Sequence, residues 1–259
     1  SRTDTMAGLR GFDGAVTFTG PALHWGPYTL DAVDLSAHLQ NGVVRVDRLS
    51  GNFEGATLAL SGTVDTRRPV TAIELRGGVR DLDISRTIAI AHTANDFGSD
   101  NLAVALEGKL TLDDVVLQAE GDDVTSFLLS AAASGRTEGQ FRPVVSRGSL
   151  SLATLATGIG SLFSTEMGFA SAVIDGFVNR WISTRGTFDL AGGVLTLNEH
   201  TLRGSQAVAY ITSRLDMRAG SLDTLIALDV GSPGSIDYTM SLRGPVRDPV
   251  LRSEPNRRR

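Results

Sequence analysis

The sequence predicts a mainly β protein with a few helices: an antiparallel, strongly twisted and curved sheet forming a hydrophobic groove, with two or three amphipathic helices near one end. Three observations predict it. Apolar and polar residues alternate over long stretches, the pattern of strands with one buried side. Two-residue turn signals, Asn41-Gly42 and Gly192-Gly193, sit between such stretches, and both dipeptides accept the positive φ that primed hairpin turns require. Between about 123 and 182 the period changes from two to helical.

From Asp13 to Ala119 the chain reads as strand after strand. In YTLDAVDLSAHLQNGVVRVDRLSG, the turn at Asn41-Gly42 sets Leu39 against Val44 and Ala37 against Val46 on one face. His38 then meets Arg45, and Ser36 meets Asp47, on the other. GATLALSGTVD puts Leu58, Leu60, Gly62 and Val64 on one side and Thr57, Ala59, Ser61 and Thr63 on the other. TAIELRGGV gathers Ile73, Leu75 and Val79, and NLAVALEGKLTL gathers Val104, Leu106, Leu110 and Leu112. The strand pattern lapses between 85 and 101, where Ile84, Ile88 and Ala91 fit one or two short helical turns. A rhythm of Gly, any residue, apolar, any residue, apolar recurs at Gly14, Gly108, Gly148 and Gly186 and reads as a strand start with glycine in the turn.

Two or three helices are expected: two over about 150–164 and 167–182, and a third, short one where VTSFLLSAAA fits a helix at about 123–133. Leu152, Leu155, Ile159, Leu162 and Phe163 fall at helical spacing, as do Ala170, Val173, Ile174, Phe177, Val178 and Trp181. Strands resume at Thr187. Across Gly192-Gly193, Leu190 faces Leu195 and Phe188 faces Leu197 on the apolar side, while Asp189 faces Thr196 and Thr187 faces Asn198 on the wet side. The strands run to about Leu242, Pro245 and Pro249 end the sheet, and 252–259 form a disordered basic tail. The expected organisation is one domain over 1–251, β-rich at 11–119 and 186–243, with a helical insert at 123–182.

Composition excludes several classes of function. With 259 residues, 41% of them hydrophobic and 20% charged, the chain is globular rather than disordered. A net charge of −5 offers no basic field for nucleic acid. The absence of cysteine removes disulfides, thiolate catalysis and thiolate metal sites. The chain opens SRTDTMAGLR, without an initiator Met or a signal peptide, and the longest uncharged run, Gly148 to Thr165, has too few bulky apolar residues for a membrane span.

Catalytic motifs are missing. No nucleophile elbow, phosphate loop or dinucleotide fingerprint occurs. His24, His38, His92 and His200 have no ligand spacing and read as solvated, His38 on the polar face. Asp113-Asp114 and Asp122-Asp123 flank VVLQA, where turns and a helix N-terminus account for them better than acid–base chemistry. Trp25, between Pro21 and Pro27, reads as an anchor in a strand connection, and Gly158 and Gly160 as helix packing. A non-enzyme is expected, without cofactor or metal.

The apolar faces carry the functional expectation. In an open curved sheet they line a lipid-binding groove: Val33, Leu35, Leu39, Val44 and Val46 from the first hairpin, Leu58 and Leu60 from the next strand, Leu106 and Leu110 beyond it, and Phe188, Leu190, Leu195 and Leu197 from the last hairpin. The small Ala37, Gly62, Gly77 and Gly108 leave room along it. In a closed sandwich the same faces bury each other, and the chain is a structural or protein-interaction module of the bacterial envelope. A weaker third reading is a hydrolase using loop carboxylates such as Asp122 and Asp123.

The order of LSGNFEGATLALSGTVD, LRGGVRDLDI, LEGKLTLDDVVLQAEG and VTSFLLSAAASGRTEG, then the helical stretch, RGTFDLAGGVLTL and LRGPVRDPVL, resembles the C-terminal region of AsmA-family proteins over about 11–251. The resemblance implies a Gram-negative envelope protein facing the periplasm, its full-length form held in the inner membrane by an N-terminal helix absent from this chain. It also implies kinship with TamB-like and bridge-type lipid transfer proteins, whose sheets curl into hydrophobic grooves. The implied partners are phospholipids, the inner or outer membrane and other envelope proteins. The implied role is phospholipid transport between membranes and outer-membrane integrity. The family lends no catalytic residue.

Overall fold

A computed structural model describes residues 13–25, 28–53, 55–68, 70–85, 104–122, 124–145, 176–177, 179–230, 235–245 and 250–255. The strands are β1 (Gly14–Trp25), β2 (Tyr28–Gln40), β3 (Val43–Phe53), β4 (Ala56–Asp65), β5 (Thr71–Asp83), β6 (Val104–Gly121), β7 (Ala132–Val145), β8 (Ile182–Ala191), β9 (Val194–Arg203), β10 (Val208–Asp216), β11 (Ser221–Asp229), β12 (Tyr238–Pro245) and β13 (Val250–Pro255), with helix α1 (Val124–Ser130) between β6 and β7. They hydrogen-bond in chain order, β1 to β13, as one antiparallel sheet that is not closed. The chain divides into two compact units: Ser1–Leu82, Thr111–Arg136 and Phe188–Gly193 in one, and Asp83–Leu110, Thr137–Thr187 and Val194–Arg259 in the other.

In the first unit, Asn41 (φ 50°) and Gly42 (φ 73°) form the expected primed turn. Leu39 pairs with Val44, His38 with Arg45 and Ala37 with Val46. The expected register fails two residues later: Ser36 pairs with Arg48, not Asp47. β3 carries an extra residue there, and β4 registers the same bulge, pairing Val46 with Gly62 and Leu49 with Leu60. The bulge restores the apolar face, so Leu49 lines up with Leu35 and Leu60 although it is three residues from Val46. The resulting rows are Leu39–Val44–Val64–Ile73, Ala37–Val46–Gly62–Leu75 and Leu35–Leu49–Leu60–Gly77.

Gly62 and Gly77 do not serve as spacers. Their backbones sit at φ +154° and +155°, and a Cβ would lie 2.0 Å from the Glu74 carbonyl oxygen or 1.9 Å from that of Ala59. They are glycines because β4 and β5 approach too closely there for a side chain. Beyond β4, fully buried Thr66 donates from both N (3.0 Å) and Oγ1 (2.8 Å) to the Gly42 carbonyl, tying the β4 end to the first turn. Arg67 grips Asp65 through its backbone N, Nε and Nη2 and holds that carboxyl well below the usual carboxylate range.

The second unit contains the packed core: Phe177, Ile182, Ala207, Ala209 and Leu228, flanked by Phe141, Leu202, Ile226, Val230, Tyr238 and Met240. Glycines let the segment before β8 approach the β9–β10 turn, since a Cβ on Gly204 would lie 2.2 Å from the Gly176 carbonyl oxygen. Asn179 N also bonds the Pro143 carbonyl at 2.9 Å. Across β10 and β11, Ser213 Oγ and Thr224 Oγ1 satisfy each other at 2.6 Å in the interior.

Several expected boundaries shift. Helix α1 ends at Ser130, and Ala132–Val145 is a strand within the stretch read as a helical insert. Strands resume at Ile182 rather than Thr187, leaving Trp181 outside any helix. The helix expected at 150–164, most of the one at 167–182, and the Ile88 and Ala91 turns lie outside the described residues. Gly108 and Gly186 fall inside β6 and β8, not at strand starts. Asp113 and Asp114 lie within β6 rather than a turn, and Trp25 closes β1 opposite Tyr28 rather than sitting in a connection. Pro245 ends β12 but not the sheet. Residues 252–255, expected to be tail, belong to β13, where Ser241 pairs with Arg252 and Thr239 with Glu254.

Candidate functional site

Strand register places Leu35 and Leu39 of β2, Val44 and Val46 of β3, and Leu58 and Leu60 of β4 on one face of the first unit, and the pairing of Val33 with Gly20 and Leu35 with Phe18 across β1 puts Val33 there too. Phe188 and Leu190 belong to the same unit. The Phe188 ring packs on Gly135, where a Cβ would lie 2.9 Å from the ring edge. Leu110, Leu195 and Leu197 belong to the second unit. Leu110 covers Gly139, whose Cβ would meet its Cδ2 at 2.8 Å, and Leu195 pairs with Leu215. Leu106 lies in β6; its side chain is outside the described set.

Burial on this face is uneven. Among the described apolar residues of the first unit, only Val33, Ala37 and Ala56 reach core-level burial, and none is larger than valine. Leu35, Leu39, Val44, Val46, Leu58, Leu60, Phe188 and Leu190 are all half-buried. Tight packing of a second sheet would bury such side chains almost completely. Leu60 has glycine, not a side chain, as its β5 neighbour at Gly77.

The opposite face carries ion pairs. Asp47, the bulged residue, holds His38 Nδ1 at 2.5 Å and Arg45 Nε at 3.0 Å. Arg48 pairs with Asp34 at 2.9 Å, and Arg76 with Glu74 at 2.8 Å. Asp114, one of the carboxylates weighed for acid–base work, pairs with Arg136. Such exposed pairs contribute little to stability.

Two polar clusters went unread in the sequence. His200, expected to be solvated, is buried at 8% exposure. β9 has an extra residue between Leu197 and His200, with Glu199 at φ 52°, and this turns His200 onto the face of Leu195 and Leu197. The ring lies on Gly186, where a Cβ would be 2.4 Å from His200 Cδ2. Nε2 donates to the Thr187 carbonyl at 3.0 Å, so the neutral ring carries its proton there. Burial pushes its pKa down, and the Thr187 bond opposes this in part. The bulge that buries His200 leaves no compositional mark. In the second cluster, the Arg142 guanidinium stacks 5.5 Å from the centre of the Trp181 ring and donates from Nη2 to Glu107 at 2.6 Å. Trp181, assigned by its spacing to a helix stripe, is 55% exposed beneath it.

Among the described residues, no group of three or more His, Asp or Glu side chains is placed to hold a metal ion, and no helix is long and apolar enough to cross a membrane. No protein-family model, curated protein or solved structure matches the chain.

Proposed function

We propose that this chain is a non-enzymatic, AsmA-like lipid-handling domain of the bacterial periplasm, whose apolar sheet face holds phospholipid acyl chains in transit between the inner and outer membranes. One observation carries the reading. The first unit presents rows of leucine and valine across β2, β3 and β4 that its own described residues leave half-buried. Acyl chains laid along those rows complete the burial, each methylene contributing about 0.8 kcal/mol, while headgroups stay in water. Binding of this kind is spread over many side chains and needs no titrating group at its centre.

Native mass spectrometry with lipid extraction, on the chain purified from a Gram-negative host, tests this. Phospholipid should co-purify. Leu60→Asp should reduce bound lipid about tenfold or more, because a carboxylate set against methylenes costs well over the ~1.4 kcal/mol that a factor of ten represents. Thr63→Asp, on the polar face, should leave it unchanged. A folded chain that carries no lipid would replace this reading with a structural or protein-interaction module.

A further inference from the structure

Sheet edges expose unpaired backbone groups, and natural proteins defend them with charges, prolines and short strands. β13 is defended: it has six residues, carries Arg252 and Glu254, and ends on Pro255. β1 is not. It runs twelve residues, GAVTFTGPALHW, with no Asp, Glu, Lys or Arg. Among the described residues its only strand neighbour is β2. Val16, Phe18 and Leu23 stand 54%, 40% and 47% exposed along it. Pro21 lacks an N–H, so the unbroken run of backbone donors is Gly14–Gly20, centred on Thr17.

We infer that Gly14–Gly20 is an interface for a second copy of this chain, paired antiparallel about a two-fold axis at Thr17. The segment is complementary to itself in that register. Val16 of one copy faces Phe18 of the other on the apolar side, and Ala15 faces Thr19 and Thr17 faces Thr17 on the polar side. Gly14 faces Gly20. The last pair fits the Phe18 ring, whose end already lies over its own Gly20 at 2.6 Å from where a Cβ would be. The other copy brings Gly14, around which the space is open. A charge-free edge offers a differently charged strand nothing to pair with, whereas it matches its own alternation at every position. The interface does not depend on what the apolar face binds.

The chain has no cysteine, which makes the register directly readable. Directly opposed Cα atoms lie roughly 4.5–5.5 Å apart, within disulfide reach, so Thr17→Cys should oxidise to a covalent dimer. Thr19→Cys puts the two sulfurs four residues apart along the ribbon, about 13 Å, and should cross-link at least about tenfold more slowly, the difference an unreachable geometry imposes. Sedimentation should show a concentration-dependent dimer that Phe18→Lys converts to monomer with unchanged far-UV circular dichroism. A monomer at every concentration, equal cross-linking of the two cysteine variants, a dimer that survives Phe18→Lys, or Thr17→Cys captured by a different protein would each overturn the inference. So would a monomer whose β1 amides are protected from hydrogen exchange, since another segment would then cover the edge.

Discussion

The ring of His200 owes its place to one extra residue in β9. Without the bulge at Asn198 and Glu199, the two-residue alternation would put position 200 with Thr196 on the wet face. With it, the ring is buried against Gly186 and bonded to the Thr187 carbonyl. The consequence is a pH dependence whose sign follows from the lowered pKa. Above about pH 6.5, the ordinary histidine value, the ring is neutral in folded and unfolded chains alike, and the native arrangement has its full stability. Below it, the unfolded chain takes up a proton that the buried ring resists, so stability falls as pH drops towards the native pKa. Melting temperature followed from pH 7.5 to 5 should decline through that window, with a slope from this group no steeper than about 1.4 kcal/mol per pH unit, the limit for one proton. His200→Gln, which keeps a donor, should flatten that part of the profile. An unchanged profile in the variant would mean that the acid sensitivity lies elsewhere.

Elements were legible wherever alternation and turn chemistry agree, and bulges mark where that legibility stops. Asn41-Gly42 and Gly192-Gly193 do form turns with both residues at positive φ, because the two dipeptides have few other low-energy uses. Ile73, Leu75 and Val79 do share the face of Val64 and Leu58. The pairing of Ser36 was misplaced because a bulge changes which residue is opposite without changing the composition. β7 was missed for a related reason: AASGRTEGQFRPVV is rich in small and polar residues and shows neither period strongly. The groove face was legible as a set of residues, but its partial exposure was not, because alternation reports a face and not what covers it. The β3 bulge makes a sharp prediction. The neighbouring strands already pair as though Asp47 were absent, Ser36 with Arg48 on one side and Val46 with Gly62 on the other. Deleting Asp47 should therefore cost no more than about 1 kcal/mol, the scale of the exposed contacts it makes. Deleting Arg45, two residues earlier, shifts the strand by one and turns Val44 or Val46 to the wet side. That variant should fail to unfold cooperatively in a urea titration in which the Asp47 deletion does.

At the scale of the whole chain, the consequence of the meander is that each end strand depends on one neighbour. Every described strand pairs with the strands before and after it in sequence, so long-range cohesion passes from hairpin to hairpin, much as in repeat proteins where each unit touches only the next. Among the described residues β13 pairs with β12 alone, through six residue pairs from Arg243–Val250 to Tyr238–Pro255. Its described side chains, Val250 and Arg252, are both exposed, Val250 to 59%. The core formed by Phe177, Ile182, Ala207, Ala209 and Leu228 is contributed by other strands and the segment before β8. Ending the chain at Pro245 should therefore remove one edge strand and leave that core intact. The expected cost is about 1–2 kcal/mol, or a fall in melting temperature of roughly 2–8 °C for a chain of this size, with a single calorimetric transition retained. Removing β10 (Val208–Asp216) instead takes Ala209 out of the core and the Ser213–Thr224 bond with it, and should abolish the transition. Loss of the transition on removing β13 would mean that cohesion is not passed strand to strand, and that the far edge completes a closed unit.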